Sequence, residues 1–239
     1  MKELIRKILW VFHLDITRNL RYDRLTYRVL KKVLKPDSLC VDIGAHKGEV
    51  LEWMLNLAPK GQVAAFEPIP YLANDLRKKF ENRVVIHEIA LSDQTGEAEF
   101  QVVKNAPAYS GFKQRTYKTE NPDIEVIKVK TNRLDSYFEN QTFPALIKID
   151  VEGAEYQVIK GCEGIFKSSS PVLLFEFGLG AANHYDTLPE NMFALLHSYN
   201  LKIYTLQGFL SNTKPLNKSQ FCEHFQTNSE YYFVAANAK

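Results

Sequence analysis

Acidic side chains close four short apolar runs in this sequence. A carboxylate so placed can accept hydrogen bonds from a hydroxyl or an ammonium, or take up a proton. Asp42 lies near the end of the run 39–43, Glu67 closes 63–67, Asp150 follows 145–149, and Glu176 lies near the end of 172–177. Between the first two acids, Gly44 and Gly48 frame the turn Gly44-Ala45-His46-Lys47-Gly48. Glycine there lets the backbone bend sharply and approach a bound molecule closely. A helix expected over 49–57 presents its free N–H groups to the same place. The pattern points to a small-molecule site.

These residues need elements to hold them. Residues 39–43, 49–57 and 63–67 read as strand, helix and strand, a βαβ unit that starts a doubly wound sheet and binds ligands at its carboxyl edge. Pro68-Ile69-Pro70 breaks the backbone. A helix is expected over 71–80, a strand over 84–90, a turn over 91–96 and an alternating strand over 97–103. Residues 104–123 form a polar loop long enough to suggest a function, and its Tyr109 and Ser110 are candidates for substrate contact. The alternating run 124–130 should pair with 97–103 as a hairpin insertion, with a short helix over 131–138. Next come a buried strand ending in Asp150, a helix over 154–160, a second short helix to 166 and a buried strand over 172–177. The loop 178–188 carries His184; a helix over 189–199 and a strand over 201–206 follow. A polar excursion over 207–229 leads to a last strand over 231–236. Two closing strands without a helix between them cannot be parallel neighbours, so an antiparallel strand is expected at one edge.

The 239 residues, 45% hydrophobic, suit one α/β domain, since no linker divides them. Residues 1–35 read as a helical extension of that domain and 36–239 as its body. The formal net charge of +2 is too balanced to suggest nucleic acid, although the first 35 residues carry ten Lys/Arg against three Asp/Glu. Leu4, Ile5, Ile8, Leu9, Phe12 and Ile16 recur at helical spacing with basic residues opposite. This suits helices docked on the sheet or covering its ligand edge, or an amphipathic helix lying on an anionic membrane through residues 1–20. Cys40, Cys162 and Cys222 match neither a disulfide framework nor a zinc pattern, so a reducing, cytoplasmic compartment is expected. No apolar run reaches the roughly 18 residues of a membrane span. The run 8–14 lacks a small-residue cleavage pattern, so no signal peptide is expected.

The stretches VDIGAHKG, AFEP, ALSD and LIKIDVEGAE, in that order, resemble the FkbM-type family of S-adenosylmethionine-dependent methyltransferases. The resemblance covers residues 35–180. It implies a class I methyltransferase fold, a seven-stranded mostly parallel sheet whose final strand is antiparallel. It also implies methyl transfer to an oxygen, commonly a hydroxyl of a sugar or of a polyketide- or lipid-linked natural product. On this resemblance the Gly44, Ala45, His46 and Gly48 turn offers N–H groups to the amino-acid part of the cofactor, and Asp42 faces its ammonium. Glu67, with Pro68 after it, accepts from the ribose diol; Ser92 and Asp93 meet the adenine; and Asp150 lies beside the sulfonium. In-line transfer draws much of its rate from positioning, and the acceptor hydroxyl must lose a proton. Asp150, Glu152, Glu155, Glu176 and His184 are the candidates to receive it.

Plainer roles stand beside these. Asp42 and Asp150 suit loop anchors, Glu152 and Glu155 suit caps or helix-dipole partners, and His184 suits a solvated loop residue. Lys148 suits an ion pair with a neighbouring carboxylate. Three other functions also fit parts of the pattern. A nicotinamide-dependent oxidoreductase would share the βαβ unit, but its G-x-G-x-x-G fingerprint is missing. A non-catalytic cofactor-binding module would keep the fold without turnover. A metal-assisted O-methyltransferase would hold Mg²⁺ through Asp150 with Glu152 or Glu176; fewer than three clear ligands can be picked out, so no metal is expected.

Overall fold

The computed structural model describes residues 18–117, 120–138 and 142–237. The apolar stripe of residues 4–16 lies outside the described residues, and so does most of the segment suggested for membrane contact. Helix α1 (Arg18–Val33) belongs to the expected helical extension. It buries Tyr22, Leu25 and Val29 against Leu174, Leu206 and Val234, and its closing Lys31 and Lys32 suit the negative end of the helix dipole. No helix among the described residues is long and apolar enough to cross a membrane.

Strand β1 (Cys40–Ile43), helix α2 (Glu49–Leu57) and strand β2 (Val63–Phe66) form the expected βαβ unit, with β1 buried throughout. Helix α3 (Pro70–Phe80) starts on its proline, which needs no N–H partner there. The run expected as one strand over 84–90 is divided. Strand β3 (Val85–His87) pairs with β2, whereas β4 (Ala90–Leu91) leaves for a second sheet. That small sheet contains β5 (Gly96–Val103) and β6 (Ile124–Asn132) as the expected hairpin. Ala90 is drawn away because Phe100, Val102 and Val129 offer it an apolar neighbourhood. Thr131 and Asn132, expected to be helical, extend β6 instead because they are paired with β4; the helical part shrinks to one 3₁₀ turn, Leu134–Tyr137.

Strand β7 (Leu146–Ile149), helices α4 (Glu155–Lys160) and α5 (Glu163–Ser168), and strand β8 (Val172–Glu176) follow as expected. Helix α6 (Pro189–Ser198) and strand β9 (Leu201–Thr205) come next. The excursion expected over 207–229 contains two helices, α7 (Leu206–Leu210) and α8 (Lys218–Thr227), before β10 (Tyr232–Asn237). A capping box between Asn217 and Gln220 starts α8, which then buries Phe221 and Phe225 one turn apart.

The large sheet has the order β3-β2-β1-β7-β8-β10-β9. β10 alone runs opposite to the other six strands. It lies inside the sheet rather than at the expected edge, and β9 is the edge strand. The four central residues of β10, Phe233 to Ala236, are all buried, as a strand covered on both faces requires. The three cysteines are free and buried.

Candidate active site

The tips of β1, β2, β7 and β8 open into a cavity of about 860 Å³. Its cradle is the turn after β1. Gly44 has φ +76°, and a Cβ there would lie 1.8 Å from the carbonyl oxygen of Asp150, so no other residue fits without moving β7. Gly48, also left-handed at φ +74°, packs against Phe80 from behind and does not line the cavity. Gly44, Ala45 and His46 do line it, as do Glu67 and Pro68.

Glu67 stands just past β2 and is 4% exposed. Its Oε2 accepts the His46 N–H at 2.9 Å and its Oε1 accepts the Ile69 N–H at 3.0 Å. Burial pushes its carboxyl up to about 7, against the pull of those two N–H groups. Each oxygen keeps a lone pair directed elsewhere. The His46 N–H, expected to meet a ligand, is spent on Glu67.

A cross-strand polar arrangement occupies the middle of the sheet edge. Asp42 is opposite Lys148 in the β1–β7 register. Lys148 Nζ lies 3.0 Å from Asp42 Oδ1 and 3.8 Å from Asp150 Oδ2, and it donates to the Gly44 carbonyl at 2.9 Å. Burial pulls this ammonium down, but Asp42 and Asp150 outweigh it and hold Lys148 above the usual range. Asp42 is 1% exposed and does not line the cavity, which corrects its expected place against a ligand ammonium. The lysine opposite claims its carboxylate. Tyr232 donates its hydroxyl to Asp150 Oδ2 at 2.7 Å. Asp150, Glu176 and Tyr232 all line the cavity. Burial, then the charges of Asp150 and Glu155, push Glu176 well above the ordinary carboxylate range.

The other expected residues divide between the cavity wall and its support. Glu152 lines the cavity in a left-handed conformation (φ +60°), but its carboxylate is ion-paired with Arg115. Arg115 also donates to the Gly180 carbonyl at 3.1 Å and lies 5.0 Å over the Tyr109 ring, tying three loops together. Glu155 is buried beneath the turn, and its Oε1 accepts from Val151 N–H at 3.0 Å and Gly153 N–H at 3.1 Å. Ser92 and Asp93, expected at the adenine, do not line the cavity: Asp93 pairs with Lys160 at 2.6 Å, and Ile89, Ala90 and Leu91 face the space instead. His184 is likewise outside the lining, with its Nε2 3.2 Å from Thr116 Oγ1.

Among the described residues no group of three or more His, Cys, Asp or Glu is placed to hold a metal ion. Glu152, pledged to Arg115, does not join Asp150 and Glu176. Sequence reasoning missed Arg115 and Tyr232; α1 brings Arg18, Asn19 and Tyr22 to the cavity wall, which is the alternative in which the N-terminal helices cover the ligand edge. The alternation Lys148-x-Asp150 signals that those two share a face; nothing local signals Tyr232, whose place depends on β10 pairing with β8.

Residues 42–203 match the family described as Methyltransferase FkbM domain. Among curated proteins, the 2-O-methyltransferase NoeI of Sinorhizobium fredii is 30% identical over 148 residues, which is 56% of this chain and 61% of that protein. The chain thus spans less than two thirds of this relative's length. Among solved structures, a methyltransferase FkbM from Methylobacillus flagellatus aligns with a TM-score of 0.51 at 15% identity, over 85% of this chain and 44% of that one. That likeness shows a shared class I methyltransferase fold.

Proposed function

Because this chain belongs to the FkbM family of methyltransferases, we propose that it moves the methyl group of S-adenosylmethionine to a hydroxyl oxygen of a sugar, glycolipid or related natural product. The observation that carries this reading is the Glu67 carboxylate at the tip of β2. Each of its oxygens is held by one backbone N–H and retains a lone pair, which suits the two adjacent hydroxyls of a ribose. The rest of the cavity fits the same cofactor. Ile69, Leu72, Leu91 and Phe100 line an apolar part suited to a flat base, and the bare backbone at Gly44 allows the amino-acid part to come close. The relative NoeI is named as a 2-O-methyltransferase, which supports oxygen as the atom methylated here.

When bound, the cofactor supplies an electrophilic methyl on a positively charged sulfur. Everything else falls to the chain. Tyr22, Tyr109, Tyr231 and Arg18 line the same cavity and offer an acceptor ring aromatic faces and polar edges. The carboxylates at the tips of β7 and β8 receive the hydroxyl proton. Asp42 acts at a distance, by holding Lys148.

Titration calorimetry with S-adenosylmethionine and S-adenosylhomocysteine tests the cofactor reading, and failure of both to bind refutes it. Label transfer from methyl-labelled cofactor to a panel of methyl glycosides and to host glycolipid extracts tests the acceptor class. Label appearing only on nitrogen or carbon overturns the hydroxyl reading.

A further inference from the structure

We propose that Asp150 and Glu176 work as one catalytic pair, sharing a single proton in the resting protein and releasing it when a sulfonium enters the cavity, with Tyr232 as its positioning residue. This rests on the methyl-donor reading above. Ile149 is opposite Phe175 in the β7–β8 register, so the next residues, Asp150 and Glu176, stand side by side at neighbouring strand tips, about 4.8 Å apart by strand spacing. Glu176 is in turn opposite Tyr232 across β8 and β10. Both carboxyl side chains line the cavity, and burial together with the charge of Asp150 holds Glu176 well above the ordinary carboxylate range. At that spacing the two carboxyls can share a hydrogen bond only when one of them is protonated, because ionised carboxylates have no hydrogen to donate. Two like charges directly opposite on adjacent strands would otherwise repel.

The surrounding charges point the same way. Lys148 is shared between Asp42 and Asp150, and Arg115 is paired with Glu152. Glu155, on α4, adds negative charge once it ionises, at about 7. Tyr231 and Tyr232 are neutral phenols whose hydroxyls are held up by burial first. Burial likewise holds His46 below the usual histidine range, so it brings no cation at neutral pH. A second positive charge beside Asp150 is what would let both carboxylates ionise, and a sulfonium supplies it.

The proton balance closes over a turnover. The pair starts as one carboxylic acid and one carboxylate and loses its proton to solvent as the sulfonium arrives. The acceptor oxygen then bonds to the methyl carbon while the carbon–sulfur bond breaks, leaving its electron pair on sulfur. The pair takes the hydroxyl proton, and the neutral thioether product is left beside a singly protonated pair, as at the start. The full base is thus present only while the methyl donor is bound.

The test is calorimetry in buffers of differing ionisation enthalpy, at several pH values around neutrality, with S-adenosylmethionine and S-adenosylhomocysteine as the two probes. They share ribose, adenine, ammonium and carboxylate, and differ at sulfur. The wild-type protein should release up to about one more proton on binding the sulfonium than on binding the thioether, and the ratio of the two affinities should rise up to about tenfold per pH unit across that window. Glu176→Gln, which can still donate to Asp150, should abolish the difference. Tyr232→Phe removes a donor to the ionised pair, so the window should move to higher pH, which a merely structural tyrosine would not cause. Equal proton release for both ligands in the wild-type protein overturns the pair while leaving the methyltransferase reading intact. If neither ligand binds, both readings fall.

Discussion

Replacing Glu67 by glutamine removes one charge and one acceptor while keeping the side chain's shape. In the wild-type protein both oxygens are engaged, by His46 N–H at 2.9 Å and Ile69 N–H at 3.0 Å. A glutamine satisfies one of these and turns an N–H donor toward the other. One ribose hydroxyl then loses a charged acceptor, worth about 1.5–3 kcal/mol, so cofactor affinity should fall by roughly 10- to 150-fold. The pH dependence should change as well. Burial holds the Glu67 carboxyl at about 7 in the empty site, and the diol is best held by the ionised form. Wild-type affinity is therefore full above pH 7 and declines as pH falls below it, equally for S-adenosylmethionine and S-adenosylhomocysteine because their riboses are identical. Glu67→Gln should lose this common decline. Calorimetry from pH 5.5 to 8.5 reads both effects. A variant whose affinity stays within twofold of wild type, or which keeps the common decline, refutes the ribose assignment.

Four further perturbations test other parts of the structure. Gly44→Ala would force a Cβ to within 1.8 Å of the Asp150 carbonyl oxygen at φ +76°; urea unfolding should show a loss of at least about 2–3 kcal/mol, and unchanged stability would mean the turn is not packed as described. Lys148→Met leaves the buried Asp42 carboxylate uncompensated and should cost about 3–5 kcal/mol. The double variant Lys148→Met with Asp42→Leu should regain much of that loss, and strictly additive losses would contradict the pairing. Asp150→Asn should slow methyl transfer by about 10²-fold or more while changing cofactor affinity less; equal losses in both would make Asp150 a binding residue only. Burial raises Glu155 from 4.5 to about 7, so its contribution to stability is fully present below pH 4.5 and lost as pH rises through 7. The loss is roughly 3 kcal/mol. Glu155→Gln keeps the Oε1 that accepts from Val151 and Gly153, and its stability from pH 4.5 to 8 should be flatter than wild type by that amount.

The residues that were legible in the sequence belong to contiguous signals. The run from β1 through the glycine turn to Glu67 holds its own strand, turn and helix cues, and the turn fits only glycine at position 44. Asp150 and Glu176 were legible because each closes a buried parallel strand, where a carboxylate gains nothing from apolar packing and costs free energy unless something polar meets it. What was not legible is the partner that each remaining residue takes from a distant element. Asp93 points to Lys160 and not the cavity, Glu152 is held by Arg115, Asp42 is held by Lys148, and His184 meets Thr116. A sequence shows which side chains carry charge but not which of them neutralise one another.

The sequence by itself determined the βαβ start, the parallel strands, the glycine cradle and the acid that follows β2, because strand period, turn chemistry and helix signals act over a few residues. Only the tertiary structure decided that β10 slots between β8 and β9, that Tyr232 thereby reaches Asp150 across Glu176, and that α1 walls the cavity. Those outcomes depend on which buried surfaces find each other in three dimensions, and separation along the chain carries no record of that.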